Sequence, residues 1–152
     1  MDYDVRIEHA DPLPMAAERF VARPDQLSRA IPDACGRVWK FVRTAGIPDP
    51  GRHVAVYLDG QIRVECGVLV TGPFSENGSV VCSATPAGRV ATTTHFGPYG
   101  RLGEAHRAIV DACTAQGRRL AGPNWEIYGN WEDDWNGDPS KIRTDVFYLL
   151  DG

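Results

Sequence analysis

Short runs of alternating apolar and polar residues, separated by turn residues, make up most of the chain, and two longer stretches repeat at the helical period. Val5 and Ile7, set between Arg6 and Glu8, predict a strand over about residues 3–9. Asp11-Pro12-Leu13-Pro14 marks a turn, and a second strand is expected over 15–22. After a polar connection at 24–30, a helix is predicted with Pro32 in its first position and Asp33 in its first turn. Its apolar stripe is Ala34, Cys35, Val38, Trp39, Val42 and Ala45, and Gly46 closes it. Residues 53–58 and 62–70 read as paired strands around Asp59-Gly60, a dipeptide that favours tight hairpins.

The same order then returns. Strands are expected at 79–84 and 88–96, and a helix at about 101–118 with the stripe Leu102, Ala105, His106, Ile109, Ala112 and Cys113. Two last strands, 125–131 and 144–150, flank a polar loop at 132–143. The pattern predicts one α+β domain over 1–152, with repeats at about 3–70 and about 79–150. Each contains a βαββ unit, and together they form an antiparallel sheet with two long helices. Ala55-Val56-Tyr57-Leu58 aligns with Glu126-Ile127-Tyr128-Gly129, and Glu65-Cys66-Gly67-Val68-Leu69-Val70 with Asp145-Val146-Phe147-Tyr148-Leu149-Leu150. Such a duplication implies a pseudo-two-fold axis with a ligand cleft at it.

Composition narrows the classes. The formal charge is −4, the only lysines are Lys40 and Lys141, and the arginines are scattered, which argues against direct nucleic-acid binding. No run approaches the roughly 18 apolar residues of a membrane span, and the acidic start has no apolar leader, so a cytoplasmic location is expected. Cys35, Cys66, Cys82 and Cys113 form no C-x-x-C pair and read as buried free thiols. The histidines lack a ligand spacing, and no glycine-rich phosphate loop occurs, so neither a metal nor another cofactor is expected. His106 reads as a hydrogen-bonded histidine of the core or its boundary. Monomer and homodimer both remain open, since an exposed sheet edge could pair.

Glu126 is the leading candidate for function. Alternation puts it on one strand face with Tyr128, while Trp125 and Ile127 point the other way. A carboxylate in an apolar strand needs a partner: an arginine, a hydrogen-bond network or a ligand. Aromatic neighbours would add cation–π attraction for a positively charged ligand. Tyr57 holds the place of Tyr128 in the first repeat, so the two could sandwich a planar compound. Glu65 is a second acid in an apolar strand; it either adds charge to the cleft or pairs with Arg63 or Arg6. Asp145, its counterpart in the second repeat, is expected to make backbone or turn hydrogen bonds. Trp39, Trp125, Tyr99 and His95 are further candidates for the lining or rim.

Three stretches carry a family resemblance: His95-Phe96-Gly97-Pro98-Tyr99 with the helix after it, Pro123-Asn124-Trp125-Glu126-Ile127-Tyr128, and Thr144-Asp145-Val146-Phe147-Tyr148-Leu149-Leu150. They resemble the GyrI-like domain, the effector-binding module of some AraC-type and MerR-type regulators. The resemblance implies binding of flat, cationic or amphipathic small molecules against aromatics and a central glutamate, carried over here to Glu126; Phe147 joins the expected ligand residues. Some standalone members resemble resistance proteins, and a subset hydrolyses the strained cyclopropane of DNA-alkylating natural products. For that chemistry Glu126 and Tyr128 are the expected catalytic residues. A third possibility is a gyrase-protecting partner that uses the acidic Glu132-Asp133-Asp134 loop. The regulators fuse the domain to a DNA-binding segment that this sequence lacks.

Overall fold

The computed structural model describes residues 3–59, 63–76 and 78–151. The strands are β1 (Arg6–Ala10), β2 (Pro14–Val21), β3 (His53–Asp59), β4 (Arg63–Leu69), β5 (Val80–Ala84), β6 (Gly88–Phe96), β7 (Leu120–Tyr128) and β8 (Arg143–Leu150). The helices are α1 (Leu27–Thr44), α2 (Leu102–Ala115) and the short α3 (Asp134–Gly137). All strands join one antiparallel sheet in the order β1-β6-β8-β7-β3-β4-β2-β5. The α+β class, the single antiparallel sheet and the two long helices are those expected.

Three local expectations need correction. α1 starts at Leu27, and Pro32 lies inside it. Residues Pro24–Gln26 form a 3-10 turn that leads into the helix, and the Gln26 side chain accepts a bond of 2.9 Å from the Arg23 N–H. Nucleation therefore precedes the proline, which removes one amide donor close to the helix start. β7 runs over Leu120–Tyr128 instead of the expected 125–131. The register against β8 shifts between Leu120 and Asn124, and Gly122 takes φ 122°, a conformation that suits glycine. The loop 132–143 contains α3 and a 3-10 turn at Pro139–Lys141. Of the predicted Asp59-Gly60 turn, Gly60 lies outside the described residues.

The units β2-α1-β3-β4 and β6-α2-β7-β8 have the same connectivity, and their strands lie in the orders β3-β4-β2 and β7-β8-β6. The strand before each unit crosses over: β1 pairs with β6, and β5 pairs with β2. β1 and β2 are therefore six strand spacings apart, about 29 Å in a flat sheet. Yet only Asp11-Pro12-Leu13 joins them, and such a link spans at most about 15 Å. The sheet must curl until its two ends approach. The link over 85–87 runs beside it, with the Thr85 N–H bonded to the Leu13 carbonyl at 3.0 Å.

Curling buries the sheet face that no helix covers. Met15 and Ala17 from β2, Val54 and Val56 from β3, Val90 from β6, and Trp125 and Ile127 from β7 form one buried cluster there. On the other face, α1 packs Val38 and Val42 against Ala16 and Val68, and α2 packs Ala105 and Ile109 against Ala91 and Val146. Central strands are thus buried on both sides.

Candidate functional site

β3 and β7 meet at the middle of the sheet. Ala55 lies opposite Glu126, Val54 opposite Ile127, and Val56 opposite Trp125. This register puts Ala55 and Glu126 at the centre of the exchange between the two units. Tyr57 and Ala55 face the helices with Cys35 and Ala34 of α1, and the Glu126 and Tyr128 side chains rise from β7 on the same side.

Glu126 is buried, at 6% exposure. Both its oxygens are served by side chains. Tyr128 donates its hydroxyl to Oε1 at 2.5 Å, and Tyr57 donates to the same oxygen at 3.4 Å. His106 of α2 places Nε2 at 2.6 Å from Oε2. The other ring nitrogen, Nδ1, lies 2.7 Å from the Tyr148 hydroxyl, so a chain runs from Glu126 through His106 to β8. Burial first, and then the nearby Glu126 charge, push the Tyr148 hydroxyl up to about 12. The same causes raise Tyr57 and Tyr128 further above the ordinary tyrosine range. All three hydroxyls are therefore held protonated around the carboxylate. No arginine or lysine pairs with Glu126 among the described residues.

The other candidates are dispersed. Tyr99 meets the Tyr128 ring edge-on, with centroids 5.8 Å apart, and is 45% exposed, so it stands between Tyr128 and solvent. His95 is buried beneath the turn that carries Tyr99: Tyr3 reaches its Nδ1 at 2.8 Å, and its Nε2 lies 3.2 Å from the Pro98 carbonyl. It holds the rim rather than forming it. Trp39 packs on His53, 5.6 Å between centroids, outside the Glu126 network.

Three candidates lie on the far side of the sheet. Trp125 and Phe147 stack on each other at 5.3 Å inside the curl, because alternation turns them away from Glu126. Glu65 likewise points away from its neighbours Val64 and Cys66, which pack under α1. It pairs with Arg19 at 2.8 Å and accepts from Ser83, so its partner is the residue opposite it on β2, not Arg63 or Arg6. Asp145 also departs from expectation. It takes side-chain bonds from Arg52 at 2.8 Å and Thr94 at 2.9 Å, with Arg143 at 3.3 Å.

Sequence reasoning missed His106 as a site residue, along with Tyr148 and Asn124. His106 occupies a stripe position that aims it at the sheet, and Tyr148 alternates with Phe147 onto the helix side; a joint reading of those two periods would have found the pair. Asn124 lies opposite both Tyr57 and Tyr148 in the sheet, and its side-chain oxygen is buried with no partner. The larger surface depressions lie elsewhere. One of about 740 Å³ is lined by Phe20, Gln26 and Arg37, another of about 580 Å³ by Tyr3, Arg101 and Arg107. Neither is lined by Glu126, so a ligand touching that carboxylate has to displace side chains that hold it. No set of three or more His, Cys, Asp or Glu among the described residues is arranged for a metal. No helix among them is long and apolar enough to cross a membrane.

A curled antiparallel sheet with two helices over one central carboxylate defines an α+β small-molecule-binding module. The family model for the GyrI-like small molecule binding domain matches residues 3–150, and the chain belongs to that family. Among solved structures, the C-terminal domain of EcmrR is 20% identical, with a TM-score of 0.78 and 99% of each chain covered. SAV2435, solved bound to tetraphenylphosphonium, is 12% identical with a TM-score of 0.66, covering 100% of this chain and 95% of that one. A hydrolase from Listeria innocua is 13% identical with a TM-score of 0.60, covering 97% and 91%. At these identities the likeness is one of fold. Among curated proteins, none matches the chain.

Proposed function

We propose that the protein captures amphipathic, aromatic compounds carrying a positive charge, with Glu126 as the charge receptor and Tyr57, Tyr128 and Tyr99 as its aromatic surroundings. The reading serves sensing, sequestration or resistance in the cytoplasm. One observation carries it: Glu126 is buried without a permanent cation, held by donors that a ligand can replace. The unpartnered Asn124 oxygen beside Tyr57 and Tyr148 adds an acceptor for a ligand donor. Related folds support it, since SAV2435 was solved with an organic cation. Calorimetric titration with tetraphenylphosphonium tests the proposal. Saturable binding is expected, weakened at least about tenfold in Glu126→Gln, a loss of about 1.4 kcal/mol. Equal affinity in that variant rejects Glu126 as the receptor.

A second reading, hydrolysis of a strained electrophilic ring, is favoured by the hydrogen-bonded chain Glu126–His106–Tyr148. Such a chain takes a proton from water as its oxygen bonds to one ring carbon, and returns a proton to the carbon freed when the ring bond breaks. Mass spectrometry of a cyclopropane substrate then finds a product heavier by one water. Glu126→Gln would bind the substrate without turning it over; undiminished turnover excludes the assignment.

A further inference from the structure

His106 stands where a ligand's positive charge would stand. Its Nε2 is 2.6 Å from the Glu126 oxygen that neither tyrosine takes, and its side chain is 15% exposed. The ring is also held in a way that suits either protonation state. A neutral ring donates from Nε2 to Glu126 and accepts at Nδ1 from the Tyr148 hydroxyl. An imidazolium donates from both nitrogens, and the same hydroxyl turns to accept. Gain or loss of the proton therefore leaves no nitrogen unpaired and requires no movement of α2.

We propose that His106 is the built-in counter-cation of this site and its charge-selecting residue: an incoming organic cation takes over the pairing with Glu126, and the imidazolium gives up its proton to solvent. The proposal rests on the reading of Glu126 as a cation receptor and adds what sets the selection. Charge balances, since one cation enters and one proton leaves. A neutral ligand of the same shape gains nothing from the exchange. The groups facing His106 are consistent with this. Glu126 and Tyr128 come from β7, Tyr57 from β3 and Tyr148 from β8; the tyrosines are all held protonated. On β6, His95 is engaged by Tyr3 and Pro98. From α1, Cys35 lies toward Tyr128, and the hydrogen bond from Cys66 of β4 pulls its thiol down to about 6; the His106→Gln comparison below separates its titration from that of the imidazole. Among the described residues, His106 is the basic side chain in contact with the carboxylate.

The test is calorimetric titration of the whole chain with tetraphenylphosphonium at about pH 5.5 and about pH 8, a span across which a histidine changes charge. Each pH is run in two buffers of different ionisation enthalpy, and neutral triphenylphosphine oxide serves as the control. Expected are an affinity about tenfold higher at the upper pH and a proton released per cation bound at the lower pH, with neither effect for the neutral compound. His106→Gln keeps a donor for Glu126, and its binding should be independent of pH and release no proton. If that variant does not fold, proton release from the wild-type protein decides the matter. Cation binding with no proton release, or an unchanged pH slope in His106→Gln, overturns the inference and leaves Glu126 as receptor. Failure of tetraphenylphosphonium to bind at either pH overturns both.

Discussion

Two kinds of buried carboxylate occupy this sheet. Glu18, Glu65 and Asp145 each meet arginine: Arg37 at 2.8 Å, Arg19 at 2.8 Å and Arg52 at 2.8 Å. Glu126, buried to a similar degree, meets one imidazole and two phenols. An arginine does not lose its charge in a protein, so the first three acids are permanently neutralised and serve structure. Histidine can lose its charge, and phenols never carry a positive one. The fourth acid thus keeps a charge that another cation can claim. The two units also differ at the centre: where β7 presents Glu126, β3 presents Ala55.

Removing an arginine should do the most damage. Arg52→Leu deprives Asp145 of a partner and strips bonds from the Ile127 and Tyr128 carbonyls. A loss of about 2–3 kcal/mol in urea unfolding is expected. A change below about 0.5 kcal/mol would erase the distinction between the two kinds of acid. Glu126→Gln should show the opposite profile, with unfolding free energy changed by under about 1 kcal/mol while cation affinity falls at least about tenfold. Tyr148→Phe removes only the far end of the chain through His106. A change of about two- to threefold in cation affinity is expected, seen mainly in its pH profile.

Acid sharpens the comparison from the other side. Burial alone would raise the Asp145 carboxyl, but Arg52, Thr94 and Arg143 outweigh it and hold the group below the ordinary aspartate range. Its folded value lies below its unfolded one, so its contribution to stability is complete above about pH 4 and fades as the pH falls further. Urea midpoints measured downward from about pH 5 should drop less steeply in Asp145→Asn than in the wild-type protein.

Much of the fold was legible because each strand and helix carries its own period. The succession of strands along the chain and the two long helices follow from local pattern. The curl of the sheet was not, because it depends on how β1 and β5 pair far along the chain. That loss had consequences for the site. Trp125 was a candidate for the lining although alternation turns it away from Glu126, and Phe147 entered through the family resemblance; the curl gives their side of the sheet a core of its own, in which they stack. Glu65 was ambiguous for a related reason: its partner, Arg19, lies opposite it on β2, a pairing that alternation within one strand does not reveal. Pro32 misled the start of α1 because proline is common in a first turn, whereas a 3-10 turn had already begun the helix upstream.

The exchange of β1 and β5 has a bearing on how the chain reaches this shape. β1 precedes every other strand in synthesis, yet Arg6 finds its partner only when Thr92 has been made. β5, in turn, closes on β2 from the far side of α1, β3 and β4. Neither half of the chain can complete its sheet from its own residues, since β1 and β5 pair only with strands of the other half. Contacts of such long range make for slow, all-or-none folding. Severing the chain between β4 and β5 should therefore give two fragments that fold only when mixed.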